Sequence, residues 1–229
     1  MRKFHDMIRW AVVLSLLTAF LGGCATDKSM KKEKTPDELM EEGLDHFEKE
    51  YYLGAIESFQ KIIDRYPYSK HCAEAELKMA DSRYYQETYN EAFDAYAEFQ
   101  KLHPKNPDIP YVFFQKGMCH FKQVSTVDRD QWHTLQAKEE FDRLVKNFPE
   151  SEYADRANWK IRECYMILAG SELYVGHFYF KMKKYNAAMS RYNYILENYP
   201  DLGQYHEALE YLSKCKEKLA EEESKKEKS

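Results

Sequence analysis

Glycine is scarce in this chain, eight in 229 residues, and proline numbers seven. That removes the turn residues a many-stranded β fold consumes and leaves a helical protein. Among the five cysteines, Cys24, Cys72, Cys119, Cys164 and Cys215, no Cys-x-x-Cys pair occurs, so no redox or zinc motif is present. The last four fall in segments that read as helix, where a small buried packing residue is expected. There is no His-Glu-x-x-His, no glycine-rich phosphate loop and no Gly-x-Ser-x-Gly elbow. Cys119 and His120 are neighbours in sequence and point to different sides of a helix, which makes no nucleophile–base pair. Asp128-Arg129-Asp130 reads as three solvated charges in a polar stretch. No catalytic residue, metal ligand or cofactor site follows from any of these, and the chain reads as non-enzymatic. An excess of positive charge is missing too: the net charge is −5, and −7 once residues 1–23 are set aside. A mildly acidic body gives no electrostatic case for nucleic acid.

Long hydrophobic runs are also absent. The longest, Trp10 to Leu21, has twelve residues and is too short to span a bilayer. It follows Arg2, Lys3 and Arg9 and ends in Leu21-Gly22-Gly23-Cys24, which resembles the bacterial lipoprotein signal. The resemblance implies that residues 1–23 are a signal peptide and that Cys24 carries the lipid. Position 25 is alanine and not aspartate, so the usual cue for inner-membrane retention is missing. Residues 24–35 are polar and lysine-rich, a tether of at most roughly 40 Å. Order is expected to begin at Thr35-Pro36-Asp37-Glu38, a helix start with threonine at the N-cap and proline at the first position.

What the chain has in quantity is aromatic residues, 15 % of it including 19 tyrosines, and they recur. Four alanines, Ala55, Ala92, Ala137 and Ala188, are each followed at four residues by a ring (Phe59, Tyr96, Phe141, Tyr192). At seven residues comes a large apolar side chain (Ile62, Phe99, Leu144, Ile195), at eleven a ring again (Tyr66, His103, Phe148, Tyr199), and at twelve a proline. Offsets of 0, 4, 7 and 11 are one stripe of an α-helix, and proline is where that helix stops. A small residue stands twelve before three of the alanines, Gly43, Ala80 and Gly176, with an aromatic four further on (Phe47, Tyr84, Phe180). Repeated helix pairs of this kind bury their apolar faces only by stacking. Tyr52, Tyr89 and Tyr185 fall where the turn between the two helices closes.

Two repeats depart from the frame. Gly117 precedes Ala137 by 20 residues, so about Ser125 to Asp130 loops out. From Pro149 to Gly176 there are 27 residues against 13 in the earlier repeats, which reads as one long first helix or two end to end. After Pro200, His206 to Leu219 gives a closing helix with Leu209, Leu212 and Leu219 inward, and residues 221–229 read as a charged tail. The expected fold is an all-α solenoid over residues 36–220: four helix pairs plus a C-terminal capping helix. A binding surface for other chains is expected on first-helix rings, and Phe47, Tyr84, Tyr85 and Phe121 are the candidates for holding a partner or substrate.

The frame of small residue, ring, alanine, ring and proline resembles the tetratricopeptide repeat. Within it, His103-Pro104-Lys105-Asn106-Pro107, the Asp128-Arg129-Asp130-Gln131 loop and Phe148-Pro149-Glu150-Ser151 are similar to the BamD family, also called ComL or YfiO. The resemblance implies a scaffold subunit of the outer-membrane β-barrel assembly machinery. It is lipid-anchored at the outer membrane and faces the periplasm. Its C-terminal repeats would dock the periplasmic domains of BamA, and its N-terminal repeats would receive unfolded barrel precursors. Accessory lipoproteins of the same machinery are implied as further partners, although a single helix follows Pro200 where family members often complete a fifth pair. The rival reading is another envelope tetratricopeptide lipoprotein, one that supports pilus assembly or cell-wall synthesis. Cys24→Ser is expected to abolish lipidation and shift the protein out of the membrane pellet on fractionation; retention of the serine variant there would mean that lipid is not the anchor.

Overall fold

The computed structural model describes residues 33–200 and 202–227. The leader, Cys24 and the tether up to residue 32 lie outside the described residues. The described residues from Pro36 onward belong to one compact unit. They hold α1 Pro36–Glu48, α2 Tyr52–Arg65, α3 Cys72–Tyr85, α4 Tyr89–Leu102, α5 Ile109–Phe121, α6 Trp132–Asn147, α7 Glu152–Lys181, α8 Tyr185–Asn198 and α9 Gly203–Glu227, and no strand. Each helix packs on the next in the chain, and α5 also meets α7, as α7 meets α9. These are stacked antiparallel pairs, α1/α2 to α7/α8, closed by α9: a tetratricopeptide-type solenoid. No described helix is long and apolar enough to cross a membrane.

The recurring residues explain the geometry. Ala55, Ala92, Ala137 and Ala188 are all fully buried, and so are Phe59, Tyr96, Phe141 and Tyr192. A Cβ added to Gly43, Gly117 or Gly176 would lie 2.4, 2.4 and 2.5 Å from a ring carbon of Phe59, Phe141 and Tyr192 respectively. The missing side chain on the first helix is therefore the seat for the ring of the second. The residue after the seat matches the chemistry of the ring. Where the ring is phenylalanine, that residue is apolar, Leu44 or Met118. Where it is tyrosine, the residue is polar and takes the hydroxyl: Tyr96 donates to Asp81 at 2.6 Å, and the Tyr192 hydroxyl lies 3.0 Å from His177 Nδ1. A buried phenol without such a partner would cost about 1–3 kcal/mol.

Both ends of the second helices follow from sequence. Tyr66, His103, Phe148 and Tyr199 are the C-caps, with ψ of 53 to 56° in all four. The proline that follows disfavours the helical conformation for the residue before it, so the helix ends there. The turns inside pairs one, two and four are equivalent. Glu50, Glu87 and Lys183 have φ of 58, 64 and 59°. The next N–H returns to a carbonyl five residues back, Tyr51 to His46, Thr88 to Arg83 and Lys184 to Tyr179. A left-handed residue with a side chain costs about 1–2 kcal/mol. An edge-to-face ring pair across each turn offsets part of it: Phe47–Tyr52 at 5.7 Å, Tyr84–Tyr89 at 5.5 Å and Phe180–Tyr185 at 5.5 Å.

In pair three residues 122–131 replace that turn, and the insertion is stitched to itself. Gln131 Nε2 donates to the carbonyls of Thr126 and Arg129 at 2.9 and 3.0 Å, and Asp130 accepts from the Trp132 N–H at 2.9 Å. Asp128-Arg129-Asp130 is solvent-exposed. The fourth pair resolves the open choice in favour of one helix: α7 is continuous over 30 residues, with Ser151 capping its start. The last helix corrects an expectation. Leu209 is 48 % exposed, and the inward stripe is Ala208, Leu212 and Cys215, with Leu219 partly buried. Tyr211 fixes this rotation by packing on His177, ring centres 4.2 Å apart, which turns Leu209 to solvent. The helix also runs on through Glu227, past the expected end near Leu219.

Gly117→Ala forces a methyl into the fully buried Phe141 ring and is expected to destabilise the fold by about 1–3 kcal/mol. Gly203→Ala, where nothing lies within 4 Å, is expected to be neutral or slightly stabilising. Equal denaturation midpoints for the two variants would remove the seat from the account.

Candidate peptide-binding groove

Three of the four candidate rings come together. Tyr85, 51 % exposed, stacks on Tyr52 at 5.8 Å and meets the edges of Phe47 at 5.6 Å and Tyr84 at 5.5 Å. Tyr84 is buried, and Phe47 is half-buried behind Tyr85 with Lys78 Nζ 5.3 Å from its ring centre. Phe121 lies apart from these three, packed on Phe141 at 6.4 Å and capped by Lys160 Nζ at 4.3 Å.

Tyr84 and Tyr85 form one wall of an open groove of about 710 Å³. Tyr89 extends that wall, Tyr111, Phe114 and Met118 of α5 form the middle, and Arg156, Trp159 and Lys160 of α7 form the far side. Phe47 and Phe121 do not line it. Each instead packs its ring on a neighbour, Phe47 on Tyr85 at 5.6 Å and Phe121 under Lys160 Nζ at 4.3 Å. Trp159, 70 % exposed, is the most accessible aromatic of the groove, and the repeat frame did not single it out. It sits in the surplus of the fourth repeat, where the frame assigns no register. A lone tryptophan between Asn158 and Lys160 was the available signal.

A buried polar network holds the middle of the groove in place. Asp81, 3 % exposed, accepts from Tyr96 and Tyr111 at 2.6 and 2.7 Å, and Gln115 Nε2 donates to the Tyr111 hydroxyl at 2.9 Å. Burial, and after it the Asp81 charge, pushes both phenols above their ordinary range, so they remain donors. α3, α4 and α5 are thereby tied through one carboxylate. Between α5 and α6 the Lys116–Glu140 ion pair, 3.1 Å and almost fully buried, makes a second polar tie. Cys119, Cys164 and Cys215 are buried and unbridged, Cys72 is half-buried and unbridged, and burial pushes the Cys119 and Cys164 thiols up to about 12. Among the described residues no three His, Cys, Asp or Glu side chains converge to hold a metal ion.

A second exposed apolar surface lies on α7. Met166, Tyr174 and Phe178, with the C-cap residue Met182, recur at eight- and four-residue steps and are 46 to 55 % exposed. Val127 of the insertion covers the gap at Gly170, its Cγ1 3.2 Å from where a Cβ would stand.

With this architecture in hand, comparison with known proteins is direct. Residues 32–229 match YfiO, described as an outer membrane lipoprotein. The chain belongs to the YfiO family. The outer membrane protein assembly factor BamD of Rickettsia prowazekii is 33 % identical over 198 residues, 86 % of this chain and 78 % of that one. The proteins of the same description from Caulobacter vibrioides and Neisseria meningitidis serogroup A are 30 and 27 % identical, covering 91 and 89 % of this chain and 70 and 84 % of theirs. Among solved structures, the TPR2AB domain of yeast Sti1 in its pHSP90 complex aligns with a TM-score of 0.46 at 14 % identity, over 80 % of this chain and 70 % of that one. That likeness is too loose to carry an argument. The YfiO relatives are assembly factors, and nothing in their descriptions indicates a catalytic activity.

The buried phenols and thiols set a pH limit on the fold. Unfolded cysteine and tyrosine lose protons near 9 and 10, whereas the folded chain holds those of Cys119, Cys164, Tyr96 and Tyr111 to higher pH. Stability is therefore full below pH 9 and falls as pH rises above it. Urea midpoints are expected to be level from pH 7 to 9 and to drop steadily beyond; a level midpoint up to about pH 11 would contradict the burial of these groups.

Proposed function

We propose that this protein is a non-enzymatic scaffold of outer-membrane β-barrel assembly, held to the outer membrane through Cys24 and facing the periplasm. Unfolded barrel precursors enter the groove lined by Tyr84, Tyr85 and Trp159, and the periplasmic domains of BamA dock on the fourth pair. The observation that carries this reading is the groove itself, together with membership of a family whose relatives are named as outer membrane protein assembly factors. A precursor's terminal segment is extended and apolar at alternate positions. Rings give such a segment large contact area at low entropic cost, and Met118 adapts its shape to different side chains. An open groove with few buried donors discriminates weakly among sequences, which suits a receptor that handles many precursors.

The stripe of Met166, Tyr174, Phe178 and Met182 supplies the second interface. It lies further along α7 than Trp159, the far-side ring of the groove, so that both partners are held at once on successive stretches of one helix. Exposed apolar side chains recurring along one helix are the material of a protein interface, and four together exceed the scattered singles of an ordinary surface.

The two surfaces separate in mutation. Tyr85→Ala removes a half-exposed ring and is expected to keep the helical circular-dichroism signal and melting temperature, weaken capture of a barrel C-terminal peptide several-fold, and leave BamA recovery in envelope pull-downs unchanged. Phe178→Glu is expected to do the reverse. If Tyr85→Ala melts early and binds normally once folded, the ring is core and the receptor surface lies elsewhere. Recovery of a pilus secretin or wall synthase in place of BamA would favour the other envelope role.

A further inference from the structure

The turns inside pairs one, two and four bring the same two positions together. One is the residue before the first helix's turn-closing ring, the other the residue before the tyrosine of the second helix. In pair one these are His46 and Tyr51, whose ring centres stand 5.2 Å apart. In pairs two and four they are Arg83 with Thr88 and Tyr179 with Lys184. In all three the second residue's N–H returns to the carbonyl of the first. Pair three, among the described residues, has neither the left-handed residue nor the ring pair of that turn. Residues 122–131 stand in its place, and Thr134 replaces the tyrosine. The two equivalent positions there are His120, near the end of α5, and His133, near the start of α6. They still meet: their Nδ1 atoms face each other at 3.4 Å.

That separation suits a metal ion better than a hydrogen bond. An N–H donor ordinarily lies about 2.7–3.2 Å from its acceptor. Two imidazole nitrogens bound to zinc at about 2.0–2.1 Å with tetrahedral angles stand roughly 3.3–3.4 Å apart. The rings are also fixed in place. His120 is 7 % exposed, packed by Phe93 at 4.7 Å and met edge-on by Trp132 at 5.4 Å. Trp132 also meets His133, ring centres 4.8 Å apart, and His133 is half-buried. Ligands held in this way lose little freedom on binding. Burial, and after it the neighbouring imidazole, pushes His120 below its ordinary value, which keeps the ring neutral and its lone pair available. Glu140, the carboxylate that also acts on His120, is held by Lys116 and by Arg143 at 3.1 Å each and is spent on them.

The geometry points to a two-imidazole site for a first-row divalent cation, Zn²⁺ or Cu²⁺, bound between Nδ1 of His120 and Nδ1 of His133, with water in the remaining positions. Each ring then carries its proton on Nε2. Imidazole selects these ions over Mg²⁺ and Ca²⁺, which take oxygen ligands. Bound there, the cation closes the base of the insertion, as the ring pair closes the turn in the other three pairs. The effect reaches α7, because the insertion lays Val127 over Gly170 of that helix. Neither histidine lines the groove, so the site is independent of what the groove binds.

The test uses the full mature protein in detergent, stripped with a chelator, with ZnCl₂, CuCl₂ and MgCl₂ as probes. Isothermal titration calorimetry is expected to show saturable uptake of one Zn²⁺ per chain. The melting temperature is expected to rise by a few degrees at saturating Zn²⁺ and to stay level with Mg²⁺. Trp132 reports the location. In a Trp159→Phe background it is the only tryptophan after residue 23, and Cu²⁺ beside an indole quenches it. Most of its emission is expected to be lost at saturating Cu²⁺. His133→Gln, at the more exposed of the two positions, is expected to abolish uptake, quenching and the melting shift while the metal-free melting temperature stays nearly unchanged. His120→Gln is expected to abolish the same three. No saturable uptake by the native protein overturns the proposal. Uptake or quenching that survives in both variants overturns it too, since the metal then sits elsewhere, and an equal melting rise with Mg²⁺ does so as a general charge effect. Should His133→Gln melt early without metal, Cu²⁺ quenching of the folded variant at low temperature decides: loss of quenching supports the site and full quenching overturns it.

Discussion

The contact on which the rest depends is a ring seated where a side chain is missing. Gly43, Gly117 and Gly176 let the rings of Phe59, Phe141 and Tyr192 come against the backbone of the first helix. This sets the separation within a pair, and the fully buried alanine one turn before each ring, on the same helix face, keeps that approach close. Pairs of one shape then stack with one geometry, and their first helices present successive rows of side chains. Overpacking at such a contact spreads, because interiors are close-packed and a displaced ring has nowhere to go. The variation at the residue after the seat belongs to the same constraint. A phenol in the seat carries a hydroxyl that must be satisfied in the dark of the core, and Asp81 and His177 meet that need in the two pairs where tyrosine replaces phenylalanine.

Function grows out of that exception. Asp81 accepts from Tyr96 because of the seat, and its same oxygen also accepts from Tyr111 of the next pair. An internal satisfaction of one hydroxyl thereby becomes a tie between neighbouring pairs, and Tyr111 becomes a fixed partition in the groove. A buried carboxylate that accepts two phenols is costly to break from either side, since the survivor would be left unpaired. The groove floor is rigid for this reason, while its rim, made of Tyr85, Trp159 and Lys122, is exposed and adaptable. A receptor for varied extended segments needs that combination.

Much of this was legible in the residues. The alanine frame located the four second helices, and the prolines located their ends through the C-cap residue before each. The surplus lengths located the insertion and the long helix. The tyrosines nine residues after the small positions were legible as turn closers. Other features were not. Leu209 reads as inward by its apolarity, yet the rotation of α9 is set by Tyr211 on His177, a contact between helices that no periodicity within one helix reveals. Phe47 and Phe121 read as receptor rings by position, and that Phe47 packs on Tyr85 and Phe121 under Lys160 follows from contacts between helices that the repeat frame does not carry. Arg156 and Trp159 lie in the stretch where the repeat loses its register, so only folding brings them opposite Tyr84 and Tyr85. The pairing of tyrosine seats with a polar neighbour is visible in the sequence once the seat is known, and not before.

The central claim is that one face receives precursor chains while another holds the assembly partner. Site-specific photo-crosslinking in intact envelopes tests it most directly, with a benzophenone amino acid placed singly at position 159 or at position 178. The account predicts crosslinks to unfolded barrel precursors from position 159 and to BamA from position 178, each without the other. Crosslinks to BamA from position 159, or precursors captured equally from both positions, would contradict it.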